Sequence, residues 1–335
     1  MTANISVEAA LRLRFRRLVN RNFRVGLAFI AMFILLTINA ALNPRFFTAP
    51  VLTSTSNQAM TLIFAGMAQT SVVVTGGIDL SVGPIISLTN SLASTLFPRN
   101  VPGGIGAIIV VLLAGALCGL VNGLIVVYGR LQPIIVTLAT ASIFGGIALY
   151  LRPTPGGFVP DWYNAVLTQR IFGLIPASLV FLLLVILVVW TPFRRSRLGM
   201  WVYATGSNEA ATYMSGINVN RAKLAAYMMG GLLAAIAGLF ITAQTQSGNA
   251  STGAVFTLQS IAVVVLGGTS LFGGSGGVSG TIAGGFTLRL ISGILFFANV
   301  NPLQQPLWEG AVMLIAVVAG ASRIFTVKNR LDILR

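Results

Sequence analysis

The sequence predicts an all-α polytopic membrane protein of about ten spanning helices, with both termini cytoplasmic. Three observations predict it. Of 335 residues, 56% are apolar and only 8% are charged, whereas a soluble domain carries about 25% charged residues. The apolar residues fall in runs near the ~20 residues that a spanning helix requires. The cations alternate between sides in the way that records orientation.

The spans read, in order, at about 25–42, 57–75, 83–97, 104–128, 133–151, 172–191, 224–245, 256–269, 278–298 and 307–322. The first follows a basic start that resembles a signal peptide. Its run is too long for that, and Asn43-Pro44-Arg45 follows where a small-residue cleavage site belongs, so it is expected to be retained. The third and eighth spans are short and flanked by glycine or proline. This suggests broken or re-entrant helices near 76–83 and 267–280. The organisation expected is a basic cytoplasmic segment at 1–24, one transmembrane domain at 25–325 with a cytoplasmic loop at 193–223, and a cytoplasmic tail at 326–335.

Ten spans place sixteen of the 21 cations inside. They are Arg12, Arg14, Arg16, Arg17, Arg21 and Arg24, then Arg130, then Arg194, Arg195, Arg197, Arg221 and Lys223, and finally Arg323, Lys328, Arg330 and Arg335. Arg45, Arg99, Arg152 and Arg170 face outward, where acidic patches of a docking protein or lipid headgroups would meet them. The net charge of +15 therefore reports orientation on a membrane, and no nucleic-acid partner is expected.

The sequence lacks histidine and has one cysteine, Cys118, and six carboxylates. Disulfide frameworks, zinc sites and histidine-based nucleophilic catalysis are excluded within the chain. Neither lysine follows a glycine, so there is no nucleotide-binding phosphate loop. No catalytic residue and no metal site is expected. Any driving chemistry comes from a partner.

Residues 72–83 echo 263–274, with seven of twelve positions identical without a gap. Either a parallel structural repeat or chance in Val/Gly-rich sequence accounts for this. Asp79 sits in the first copy. It serves either as a ligand or gating contact or as the N-cap of the third span. Gly115, Gly119 and Gly123 form a doubled GxxxG stripe for close helix packing, with Asn122 beside it. Arg289 is an intramembrane cation that lines a path or snorkels outward. Phe64, Asn122, Gln244, Phe256, Gln259 and Phe286 are further path candidates. In the inner loop, Thr205 or Ser207 is expected to cap a short helix over about 208–215, and Gly216 to end it in a left-handed conformation.

At this loop, Thr205-Gly206-x-Asn208-x-x-Ala211-x-x-x-Ser215-Gly216-Ile217 resembles the coupling loop of permease subunits of bacterial ABC importers for monosaccharides. These are the ribose, xylose, galactofuranose and autoinducer-2 type permeases of the branched-chain permease superfamily. Gly76-Gly77-Ile78-Asp79-Leu80-Ser81-Val82-Gly83, Asn122-Gly123, Pro133-x-Ile135-x-Thr137-Leu138 and Ile261-Ala262 through Gly267-Gly268-Thr269 extend the resemblance along nearly the whole chain. It implies a path formed with a second permease subunit, a separate cytoplasmic ATPase that binds ATP and Mg, and a periplasmic binding protein that delivers a sugar. Thr205, Gly206, Ser207, Asn208, Glu209, Ala211, Ser215 and Gly216 would couple to the ATPase. The chain departs from the family at Thr257 and Gln259, where an acidic pair is common, and at Gly145-Gly146, where an arginine often precedes the glycine. The alternatives are a branched-chain amino-acid permease, using Asp79 and Arg289 for the ligand's charges, an ion-coupled transporter with Asp79 as its ion site, and a channel or scaffold.

Overall fold

One helix, Val219–Thr245, organises the protein, because small residues let three neighbours reach its backbone. In the computed structural model, which describes residues 7–301 and 303–321, the helices are α1 Val7–Leu42, α2 Ala49–Val73, α3 Val82–Leu96, α4 Val101–Tyr128, α5 Pro133–Leu151, α6 Asp161–Thr168, α7 Ala177–Val185, α8 Thr191–Arg195, α9 Arg197–Ser207, α10 Glu209–Met214, α11 Val219–Thr245, α12 Ala254–Leu266, α13 Val278–Phe297 and α14 Gln305–Ala321. A π-helical turn, Ile186–Trp190, joins α7 to α8 into one rod. The side chains of Arg12, Arg14, Arg16, Arg17, Arg21 and Arg24 lie outside the described part, as do Arg323, Lys328, Arg330, Arg335 and the tail at 326–335.

α11 is surrounded by α2, α3 and α4. Gly115, Gly119 and Gly123 of α4 face it. A methyl group added at Gly119 would strike the carbonyl of Tyr227, and one at Gly115 would meet Gly231 O at 2.7 Å. Gly231 returns the contact: a methyl added there would strike Gly115 O and lie 2.7 Å from Gly119 N. Backbones approach this closely only where no side chain separates them. Asn and Ser side chains then tie neighbours to backbone. Ser71 Oγ donates to Ala226 O at 3.0 Å, Asn164 Nδ2 to Ala243 O at 2.7 Å, and Asn90 Nδ2 to Thr242 Oγ1 at 2.8 Å. On the periphery, Asn39 Nδ2 of α1 donates to Leu290 O of α13 at 3.0 Å.

Among the described residues, six helices are long and apolar enough to cross a membrane: Val25–Leu42 within α1, Val101–Tyr128, Pro133–Leu151, Ala177–Arg195, Val219–Thr245 and Val278–Phe297. The chain is thus a polytopic α-helical membrane protein. The sequence expectation needs three refinements. From residue 7 the basic start is helical and runs on unbroken into the first span, as α1. The sixth span begins at Ala177, not 172, because Arg170–Ile171 and Ile175–Pro176 form a small antiparallel hairpin turning through Phe172 (φ 52°) and Gly173 (φ 73°). Its apolar residues were read as the start of a helix. The helix preceding the second break ends at Leu266, not 269, where Gly267 and a left-handed Gly268 close it: Gly268 N donates to Val265 O and Thr269 N to Val264 O.

The glycine face predicts a sharp contrast. Gly119→Ala is expected to destabilise the protein by about 1–3 kcal/mol, the ordinary cost of overpacking. Gly145→Ala on α5, whose added methyl meets nothing within 4 Å, is expected to leave stability unchanged or slightly raised. Thermal unfolding of the purified variants in detergent compares them directly.

Candidate functional site

The two non-helical breaks, 74–81 between α2 and α3 and 267–277 between α12 and α13, meet at the end of α9. Gly274 N donates to Val74 O at 2.9 Å. Gly206 of α9 presses between them: a methyl there would strike Val74 O and lie 2.7 Å from Gly274 N. Gly273 (φ 86°) is equally confined, with Gly76 N at 2.8 Å and Gly206 O at 2.9 Å from an added methyl. Ser207 seats against Gly274, and Tyr203 OH donates to Gly276 O at 3.2 Å. Burial pushes the Tyr203 phenol up, so it remains a donor at neutral pH, although the Arg194 guanidinium stacked 3.7 Å over its ring opposes the shift. The echoed segments therefore touch. Each has a left-handed glycine just after its valine run, Gly76 and Gly268, one residue off the gapless alignment, which paired Gly76 with Gly267; the second segment is left-handed again at Gly273 and Gly274.

α10 follows directly. Its N-cap is Asn208, not Thr205 or Ser207. The Asn208 side chain accepts from Ala211 N at 2.9 Å. Thr205 and Ser207 are instead the last residues of α9, with Thr205 buried and Ser207 Oγ donating back to Tyr203 O at 3.0 Å. Ser215 Oγ donates to Ala211 O, and Gly216 (φ 76°) closes the turn in the left-handed region. Glu209 pairs with Lys223 at 2.8 Å, which anchors α10 to the start of α11. Tyr213 and Met214 are 74% and 85% exposed. Sequence reasoning passed over both. The signal that finds them is two large apolar side chains on a six-residue helix that has nothing to cover them.

Asp79 is fully buried, and its role differs from a helix cap. Its Oδ1 accepts from Ser81 N at 2.8 Å and from Ser81 Oγ at 2.6 Å, an Asx turn that precedes α3. Asn122 Nδ2 of α4 donates to Ser81 Oγ at 2.7 Å. With its amide oriented by the network, Gln69 of α2 accepts from Asp79 N at 3.2 Å and donates to Asp79 O at 2.9 Å. Thr137 of α5 accepts from Leu80 N at 3.0 Å. Side chains of α2 and α5, together with Asp79 itself, thus satisfy the backbone of the first break, and Asn122 of α4 holds the Ser81 hydroxyl.

The other singled-out residues fall in separate places. Phe64 is wholly buried among Phe181 and Phe240, at centroid distances of 5.5 and 6.0 Å. Phe256 and Phe286 are half-buried at the edge of the core. Arg289 lies one turn from Ser292 on α13, and Ser292 Oγ donates to Glu309 of α14. Gln259 Nε2 reaches the other oxygen of Glu309 at 3.5 Å. Glu309 thus gathers Gln259 of α12 and Ser292 of α13, a meeting that the sequence did not show. Gln244 stands apart from all of these. It lines an open cleft of about 630 Å³ with Pro50, Thr53, Ser54, Asn57 and Gln58 of α2 and Thr168, Gln169, Arg170 and Gly173 around the hairpin. The cleft lies at the ends of α2 and α11 opposite to the junction with α9.

A family model described as branched-chain amino acid transport system / permease component matches residues 51–319. The ribose import permease protein RbsC of Haemophilus influenzae is 35% identical over 309 residues, covering 89% of this chain and 95% of that protein. RbsC of Bacillus subtilis is 35% identical over 292 residues, covering 87% and 90%. The autoinducer 2 import system permease protein LsrD of Escherichia coli is 32% identical over 285 residues, covering 83% and 86%. No solved structure matches.

The first break depends on Asp79. Replacing it with alanine leaves Ser81 N without its acceptor and is expected to cost about 1–3 kcal/mol. Asp79→Asn, which keeps a carbonyl oxygen for the same bond, is expected to recover most of that. Thermal unfolding in detergent distinguishes the two.

Proposed function

The chain belongs to the branched-chain transport permease family, and we propose that within it the chain is the membrane subunit of an ATP-driven importer for a monosaccharide or sugar-like small molecule. The observation that carries this reading is identity of 32–35% over most of the chain to permeases named for ribose and autoinducer-2 import. Its place is the bacterial inner membrane, as a multi-pass protein. In this reading α1, α2, α3, α4, α5, the α7–α8 rod, α11, α12, α13 and α14 give the ten membrane segments, and both termini are cytoplasmic, in line with the cation asymmetry.

The working arrangement is a pair of permease subunits, a cytoplasmic ATPase that holds ATP and Mg, and a periplasmic binding protein that presents the sugar. No residue of this chain is assigned to hydrolysis. α10 rests on the ATPase, with Tyr213 and Met214 as the anchoring side chains, since exposed aromatic and apolar groups at the centre of a contact carry most of its energy. Movement of α10 reaches α9 through the Asn208 cap. α9 then bears on both breaks through Gly206, so one displacement shifts two interrupted helices together.

The amino-acid alternative finds less support. Asp79 is committed to Ser81, and Arg289 belongs to a different cluster with Glu309, so the two charges do not frame one ligand.

Reconstitution with the ATPase and binding protein is expected to give ATP-dependent uptake of a monosaccharide. Uptake that persists without any ATPase would overturn the reading. Tyr213→Ala together with Met214→Ala is expected to weaken ATPase association by roughly 10–30-fold, the effect of losing a hot spot of about 2 kcal/mol. Gly216→Ala and Asn208→Ala are expected to leave the subunit inserted but to lower the sugar imported per ATP hydrolysed.

A further inference from the structure

The cleft between α2, the hairpin and α11 is lined by five amide or guanidinium side chains, Asn57, Gln58, Gln169, Arg170 and Gln244, and by three hydroxyls, Thr53, Ser54 and Thr168. The side chains of Gln169, Arg170 and Gln244 make no hydrogen bond among the described residues, and the buried Oδ1 of Asn57 has no partner there either. Asn57 Nδ2 is held by Thr168 O at 2.8 Å, which fixes the direction in which its free oxygen points. Gln58 donates to Ser54 Oγ at 2.9 Å and keeps its own carbonyl free. The lining contains no carboxylate, and Pro50 is its one apolar side chain.

This composition selects a ligand class. A ring hydroxyl both donates and accepts, and so does a carboxamide, so Gln and Asn side chains pair with hydroxyls at either atom. The guanidinium fork of Arg170 offers parallel donors to two neighbouring oxygens. An ammonium group would find no carboxylate among the lining residues. The volume of about 630 Å³ suits a small molecule, for which sites run to ~300–1,000 Å³.

We propose that the cleft is a loading site where the permease itself holds a free monosaccharide by its hydroxyl groups, with Gln58, Arg170 and Gln244 as the specifying contacts. The proposal rests on the importer reading above and adds a substrate site on this chain. Its position gives it a mechanical connection. α2 and α11 carry the cleft at one end and the contact with the breaks and α9 at the other, about 30 Å away at 1.5 Å of rise per residue. Occupancy of the cleft and the state of α9 act on the same two helices.

The test uses the complete transporter in proteoliposomes with its ATPase and binding protein, and radiolabelled D-ribose, D-xylose and D-galactose as probes. With saturating sugar-loaded binding protein, Gln244→Ala, Gln58→Ala and Arg170→Met are each expected to cut uptake per ATP hydrolysed three- to tenfold, the effect of losing one or two hydrogen bonds. Gln244→Asn, which keeps the amide, is expected to lose less and separates ligand contact from misfolding. The binding-protein concentration for half-maximal ATPase stimulation is expected to stay fixed. A shift in that concentration with uptake per ATP intact would make the cleft a protein-docking surface and overturn the proposal. Unchanged uptake in all three variants overturns it while leaving the importer reading standing. Wild-type uptake that persists without the ATPase sinks the importer reading, and this proposal with it.

Discussion

A helix interrupted inside a membrane protein frees backbone groups that lipid cannot satisfy, and this constraint governs the centre of the molecule. The first break answers it with side chains. Gln69, Thr137 and the Asp79–Ser81 pair take up the backbone groups of residues 79–81. The second answers it with its own turn and with the first break, through Gly274 N on Val74 O. Neither solution works unless backbones come within hydrogen-bonding distance. The absence of side chains at Gly206, Gly273 and Gly274 permits that approach. Asp79 and the glycines thus belong to one arrangement: polar groups where the chain opens, and no side chain where two chain segments must touch.

The rest of the fold follows from the same economy. α11 binds α4 through glycine and binds α2, α3 and α6 through small polar side chains directed at backbone or at one another. These contacts need no hydrophobic drive, which lipid removes. Large apolar side chains occupy the remaining volume, as the Phe64–Phe181–Phe240 cluster does. In the proposed importer this gives α2 and α11 a stiff common path between the cleft and α9.

Composition and run length made the membrane class legible, because they depend on solvent alone. Pro133–Leu151 coincides with its sequence reading, since proline and Arg152 bracket it. Breaks were legible as glycine-rich gaps, but their contact was not, because 74–76 and 273–274 are far apart in the chain. The N-cap was misplaced because Thr205, Ser207 and Asn208 are all capable acceptors. Only the backbone path, with α9 helical through Ser207, leaves Asn208 in the extended conformation that a cap requires. Glu309 escaped notice as the carboxylate that Gln259 and Ser292 share because fifty residues separate it from Gln259. The cleft escaped for a similar reason. Its lining comes from a helix start, a hairpin and a helix end, and only Gln244 stood out locally, as an amide in an apolar span.

The neighbours of Gly206 decide what genetics could do with it. The atoms around it belong to the backbone of residues 74 and 274, and backbone is the same whatever residue occupies a position. Gly66 differs, because its close neighbours are the side-chain methyls of Val263 and Thr281, at 2.6 and 2.8 Å from an added carbon. A larger residue at 66 therefore has natural suppressors, in which a partner is trimmed. A larger residue at 206 has none, since no second-site substitution can remove a carbonyl. Position 206 is accordingly closed to compensatory change, and drift in the sequence around it must leave that glycine in place.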